Sequence, residues 1–255
     1  MIRAERGDPP DGFDVRADGW RARFAEARRE DAEVSAGSVW RSLRAALRAD
    51  ADELSRRFHH KCAYCESRMR HVSHAHIEHY RPKSRREFEH LMFDWGNWLL
   101  SCGICNEEKW ADFPQRSGAP LLLNPADEDP APHLAFAGPH VRGVTERGCK
   151  TVELVQLDRQ PLRSERASWL TCVDALLLLW VQTADQEVRR ECRQHLVWAL
   201  QDDAPYAGMT RAYLRRKCPR LASPPTRRAR LPAGERQGRI RALLEHYGAE
   251  LAKLG

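Results

Sequence analysis

At 255 residues and 42% hydrophobic content, the chain has enough apolar material for one large core or two modest ones, which excludes disorder throughout. Lys and Arg number 42 against 36 Asp and Glu, a formal charge of +6, and that surplus favours polyanionic partners without naming one. The longest apolar run, Ala175 to Val181, is far short of the roughly 20 residues a membrane helix needs, and Met1 to Pro10 lacks the apolar stretch of a secretory signal. The expectation is a cytoplasmic protein with no membrane part, where eight cysteines read as metal ligands and spare thiols, not as disulfides.

Residues 1 to about 20, rich in Gly, Pro, Asp and Arg without periodicity, read as a loose arm. From Gly37 to Phe58, the apolar positions Val39, Trp40, Leu43, Ala46, Leu47, Leu54 and Phe58 predict one helix, with Ser38 as its N-cap. Residues 59 to 113 are dense in Cys, His, Trp and Asn, too polar for an ordinary core and too rich in metal-binding groups for a linker. Within them Arg85 to Gly96, with Phe88, Phe93 and Trp95, is expected to pack as an insertion, base stacking being the alternative. Leu121 to Pro125 predicts a short strand.

Beyond Thr151 the pattern turns helical, with runs at about 161–183, 185–202, 208–217 and 234–253. Trp169, Leu170, Val173, Leu176, Leu177, Leu179 and Trp180 form an apolar stripe broad enough for a helix buried in a bundle; a docking face is the alternative. Arg211, Arg215, Arg216, Lys217, Arg220, Arg227, Arg228 and Arg230 cluster with few acids, either a solvated face or a track for a nucleic-acid backbone.

Cys62-Ala-Tyr-Cys65 and Cys102-Gly-Ile-Cys105 each have the spacing that aims two thiolates at one tetrahedral Zn²⁺. Four sulfurs saturate the ion and leave no position for water, so this zinc is structural. A redox reading of the pairs lacks a βαβ pattern and leaves the second pair unexplained. A zinc deaminase would need a proline before the second pair, where Ser101 stands. His59, His60, His71, His74 and His76 could supply another ligand, but four matched cysteines need none.

Between the pairs stands Ile77-Glu78-His79-Tyr80-Arg81-Pro82-Lys83-Ser84, followed by Asn97-Trp98-Leu99-Leu100-Ser101 and then Cys105-Asn106-Glu107-Glu108-Lys109. Taken in this order the segments resemble the HNH nuclease motif in its Asn-terminated, zinc-knuckle form. With Leu122-Leu123-Asn124-Pro125 and Asp127-Glu128-Asp129-Pro130, they are similar to the PtuB-like HNH proteins of Septu and retron-associated antiphage systems. The match is firm over about residues 58 to 134 and weak at Thr151, Leu157-Asp158-Arg159, Leu162 and Arg166.

The resemblance implies an α+β, mostly α fold: a ββα-metal (HNH) core with a structural four-cysteine zinc site, flanked by an N-terminal helix and a C-terminal helical bundle. The expected division is residues 1–58, 59–135 and 136–255. It further implies a metal-dependent endonuclease, with His79 as general base and Glu78 and Asn106 holding Mg²⁺ or Mn²⁺, hard ions that take oxygen ligands. Asn97 would fix the loop around His79, and Lys109, Arg81 and Lys83 would meet substrate phosphate. Asn106 where the broader motif has His, and Glu78 where Asp is commoner, both keep an oxygen ligand. The partners implied are a DNA or RNA substrate, an ABC-type ATPase subunit, and a retron reverse transcriptase with its nucleic acid. The chain has no Gly-x-x-x-x-Gly-Lys-Ser/Thr loop, so ATP hydrolysis would belong to another subunit. The competing expectation is a catalytically silent zinc module that binds nucleic acid or protein.

Overall fold

The computed structural model describes residues 1–69 and 76–222. The expected helix at 234–253, His71, His74, Arg227, Arg228, Arg230 and the side chain of Arg220 lie outside the described residues. In agreement with expectation, the fold is α+β with helix predominant and only small two-stranded sheets. No helix among the described residues is long and apolar enough to cross a membrane.

The first departure is at the N-terminus, where α1 (Phe13–Glu30) replaces the expected loose arm. Its sequence carries too many charges to show a clean apolar period, yet Phe13, Ala17 and Trp20 are buried. Phe13 packs edge-on to Trp95 and Trp98, at 5.3 and 5.2 Å between ring centroids. A few large aromatics thus anchor the helix, because each buries much apolar area.

The single helix expected over 37–58 is two, α2 (Ala36–Ser42) and α3 (Arg48–Arg57). Ser35, not Ser38, is the N-cap of α2, its side chain accepting from the Ser38 N–H. The turns between them keep i-to-i−4 bonds at Leu43 and Leu47, so the buried row Val39, Leu43, Leu47 continues through the junction.

Strand β1 (His76–His79) pairs antiparallel with β2 (Trp98–Ser101), His79 opposite Trp98 and Glu78 opposite Leu99. The Arg86–Leu91 3₁₀ segment and the following turns bury Phe88, Phe93 and Trp95 beside the hairpin, so this insertion is packing. Helix α4 (Gly103–Lys109) follows β2 directly, with Cys102 at its N-cap, and completes a ββα unit.

Leu121 to Pro125 is not a strand. The short hairpin β3 (Gln115–Arg116) and β4 (Ala119–Pro120) precedes it, and its own backbone is held by side chains, such as Thr151 Oγ1 on the Leu123 N–H. A further hairpin, β5 (Leu134–Ala137) and β6 (His140–Gly143), packs on α5 (Glu146–Leu154). The approach is so close that a Cβ on Gly148 would fall 1.9 Å from the His133 carbonyl oxygen, which leaves that position to glycine.

The helical end comprises α6 (Gln160–Gln182), α7 (Gln186–Ala199), α8 (Ala207–Lys217) and α9 (Pro219–Ala222). Val173, Leu176, Cys192, Leu196 and Leu214 form a small core of their own. The main core, by contrast, runs from Met1 through the hairpin to Leu170, Tyr206 and Met209. It therefore draws on all three of the segments expected from the sequence.

Candidate active site and zinc centre

Cys62 and Cys65 lie in the tight turn before β1, and Cys102 and Cys105 straddle the start of α4. Their four buried sulfurs all lie within 4.8 Å of one another, with Cys65 and Cys102 3.9 Å apart. Four convergent thiols without a disulfide are what a tetrahedral Zn²⁺ requires, so the donor set fits a structural zinc. An additional partner comes from far along the chain: Arg159 Nη1 donates to Cys105 Sγ at 3.7 Å. A guanidinium beside four thiolates offsets part of their excess negative charge.

His79 ends β1 with its imidazole buried. Nε2 is 2.9 Å from the Met92 carbonyl oxygen, which also accepts from Trp98 Nε1. A carbonyl can only accept, so Nε2 carries the proton and Nδ1 keeps its lone pair. Nδ1 faces the Lys83 ammonium at 3.4 Å. Burial first, then the Lys83 charge, hold the imidazole well below its ordinary pKa, so it is neutral at pH 7. Trp40 closes over the ring edge-on at 4.5 Å, and Lys83 lies over the Trp40 ring at 5.4 Å.

Glu78 leaves the strand on the other face, as successive strand residues do. Its buried carboxylate meets Lys109 Nζ at 2.7 Å, and that ammonium also donates to the His79 carbonyl at 3.1 Å. Burial raises the Glu78 carboxyl above its ordinary value even with Lys109 beside it. Lys109 itself is fully buried. It is thus an internal counter-ion and not the phosphate contact expected: the lysine is one turn beyond Cys105, so the zinc turn that fixes α4 also points it inward.

Asn97 is buried, and its carboxamide clasps the chain after β1: Oδ1 accepts from the Arg81 N–H at 2.8 Å, while Nδ2 donates to the Arg81 and Leu91 carbonyls. Arg81 stretches its guanidinium over Phe88 and Phe113. Lys83 lies against His79 and within reach of the Glu78 and Lys109 charges. Asn106 is half-buried on α4, with no hydrogen bond from its side chain to another described residue.

The geometry therefore brings together the four cysteines, Glu78 with Lys109, Asn97 with the Arg81 backbone, and Lys83 with His79. No hydrogen bond joins His79 to Asn106. For a hard divalent cation the oxygen donors of Glu78 and Asn106 are of the right chemical kind, but an ammonium already stands at the Glu78 carboxylate. Sequence reasoning missed Met92, which acts through its backbone, and Trp40, taken for ordinary core. It also gave Arg159 no role, although the Leu157-Asp158-Arg159 segment stood out.

Residues 62–111, spanning both cysteine pairs, the hairpin and α4, match the family model for HNH endonucleases. The chain carries an HNH module. It is 34% identical over 142 residues to the Septu protein PtuB of Bacillus mycoides (strain KBAB4), covering 45% of this chain and 48% of that protein. It is 29% identical over 100 residues to the Septu protein PtuB of Bacillus thuringiensis, 39% of this chain and 37% of that one. The chain thus spans about half the length, or less, of the curated relatives it matches.

Proposed function

We propose that this protein is an endonuclease that hydrolyses a phosphodiester bond of DNA or RNA, with His79 as general base. The observation that carries the reading is the state of the imidazole: the Met92 carbonyl fixes the proton on Nε2, and burial keeps Nδ1 neutral. A neutral nitrogen of fixed tautomer is what proton abstraction from water needs. Asn97 holds the chain leaving the base, whereas the Lys83 ammonium at Nδ1 opposes positive charge there and has to move aside for the base to act. Water or substrate approaching Nδ1 would have to displace the Lys83 ammonium, whose burial already disfavours its charge.

Glu78 and Asn106 would hold a magnesium or manganese ion, with Lys109 giving up part of its contact with the carboxylate. When bound, that ion supplies an electrophile for the phosphate. The match to Septu PtuB proteins supports a role in antiphage defence. From the same resemblance we infer an ABC-type ATPase partner and, in a retron setting, a reverse transcriptase with its nucleic acid.

The test is cleavage of labelled DNA and RNA by the purified protein, alone and with its ATPase, in Mg²⁺, Mn²⁺ or chelator. His79→Ala should lose at least a hundredfold in rate while zinc content and a cooperative thermal transition persist. Undiminished cutting by that variant would remove His79 from the base role, and an inert wild type in every arm would leave only the silent zinc module.

A further inference from the structure

Beside the hairpin, α2, α3 and the start of β1 enclose a cleft of about 660 Å³, lined among others by Trp40, Arg44, Arg48, Ser55 and His76. Trp40 is the wall it shares with the catalytic histidine, since its indole lies 4.5 Å from the His79 ring. The cleft therefore reaches the proposed reaction centre with one aromatic ring between.

Three arginines line up along this face. Arg41, Arg44 and Arg48 are exposed, and none has an ion-pair partner among the described residues. Several arginines nearby are paired instead: Arg16 with Asp50 and Arg28 with Glu89 from α1, and Arg56 and Arg57 with Glu53 farther along α3. One acid, Asp52, lines the cleft, while Asp50 is buried and bound to Arg16. Because Val39, Leu43 and Leu47 fix the inner side of α2 and the turns after it, the three arginines are held outward on one stripe. Lys83 Nζ lies 5.4 Å from the centre of the Trp40 ring, so the ammonium at His79 Nδ1 stands against the aromatic wall of the cleft.

We propose that this α2–α3 stripe guides the substrate: Arg41, Arg44 and Arg48 bind phosphates of the strand whose scissile bond lies at His79. Guanidiniums with no ion-pair partner among the described residues suit this task because they present a forked donor to phosphate oxygens. Each contact releases counterions, so log affinity falls against log salt with a slope of roughly 0.7–0.9 per phosphate. The inference rests on the nuclease reading, and DNA and RNA share the chemistry it invokes.

The experiment measures binding of fluorescent DNA and RNA oligonucleotides to the His79→Ala protein by anisotropy across a salt series. It compares that protein with Arg41→Gln/Arg44→Gln/Arg48→Gln, with the corresponding triple lysine variant, and with Arg142→Gln/Arg193→Gln, exposed arginines on other elements. The glutamine triple should bind at least tenfold more weakly with a slope lower by about 2. The lysine triple should recover most of the slope, and the Arg142/Arg193 variant should match the parent. In the catalytically intact background, the glutamine triple should raise KM much more than it lowers kcat. Parental affinity and slope in that triple, with a wild type that binds and cuts, would overturn the guiding stripe alone. A wild type that neither binds nor cuts nucleic acid would overturn the nuclease reading and the stripe with it.

Discussion

Two neighbouring residues on one strand meet different fates. His79 is neutral by burial and its pinned tautomer, whereas Glu78 is buried against an ammonium 2.7 Å away. The Glu78–Lys109 pair should behave as buried pairs do, where removing one partner costs far more than removing both. Lys109→Met is expected to destabilise the fold by about 3–5 kcal/mol, because it leaves a carboxylate in the interior without a cation. Glu78→Leu/Lys109→Met should recover most of that loss. Urea denaturation of the three proteins measures both effects, and a double variant no better than the single one would mean that the pair holds the hairpin by direct attraction. The Glu-His and Cys-Asn-x-x-Lys strings made these residues legible in the sequence. The direction of Lys109 was not legible, because a lysine near a nuclease motif suggests phosphate until the packing shows its stem enclosed.

At the scale of elements, apolar periodicity gave α6, α7 and α8 to within about two residues at most boundaries, and the resemblance to the HNH motif implied the hairpin and α4. It failed for α1, where Phe13 and Trp20 anchor a helix of otherwise charged residues, and for β5–β6, whose four-residue strands are too short to show alternation. The Leu-Leu-Asn-Pro segment was conspicuous for a reason other than the strand it suggested. Arg147 binds the Pro120 and Leu122 carbonyls and forms a two-pronged pair with Glu128, at 2.6 and 2.5 Å, which in turn accepts from the Asn124 N–H.

That network ties the segment to α5, and it has a pH signature. Burial acts to raise the Glu128 carboxyl, but Arg147 and the Asn124 N–H outweigh it and hold it below its ordinary 4.5. The folded carboxyl ionises at lower pH than the unfolded one, so its stabilisation is complete above 4.5 and fades as the pH falls below that value. Glu128→Gln should therefore lower the melting temperature at pH 7 and narrow the gap to wild type as the pH drops toward 3. Calorimetry across that range would count against the network if the gap stayed constant.

For the whole molecule, the expected ββα-metal centre with helices on either side is present, but the expected segments do not keep separate cores. Met1, Phe13, Trp98, Leu122, Leu170 and Met209 share one interior, and sequence order cannot reveal such sharing because it depends on which faces meet. The four-cysteine site lies at the middle of this arrangement, with its thiols before β1 and after β2 and with Arg159 reaching in from the helical end. Removing the metal should therefore unfold more than a local loop. A strong chelator is expected to lower the melting temperature by more than 10 °C, as one cooperative transition seen alike by tryptophan fluorescence and far-ultraviolet circular dichroism. Arg159→Ala should hasten zinc release without abolishing binding. A chelated protein that melts as before would separate the metal from the fold.

The buried sulfurs also decide how the protein meets oxidants. A thiolate on zinc and enclosed by the interior is reached by peroxide only when the chain opens, so damage should follow the rate of opening more than the peroxide dose. Once oxidised to sulfenate or disulfide, those cysteines would release the ion, and the hairpin carrying His79 would lose its clamp. Peroxide stress would then silence the protein without modifying the imidazole at all.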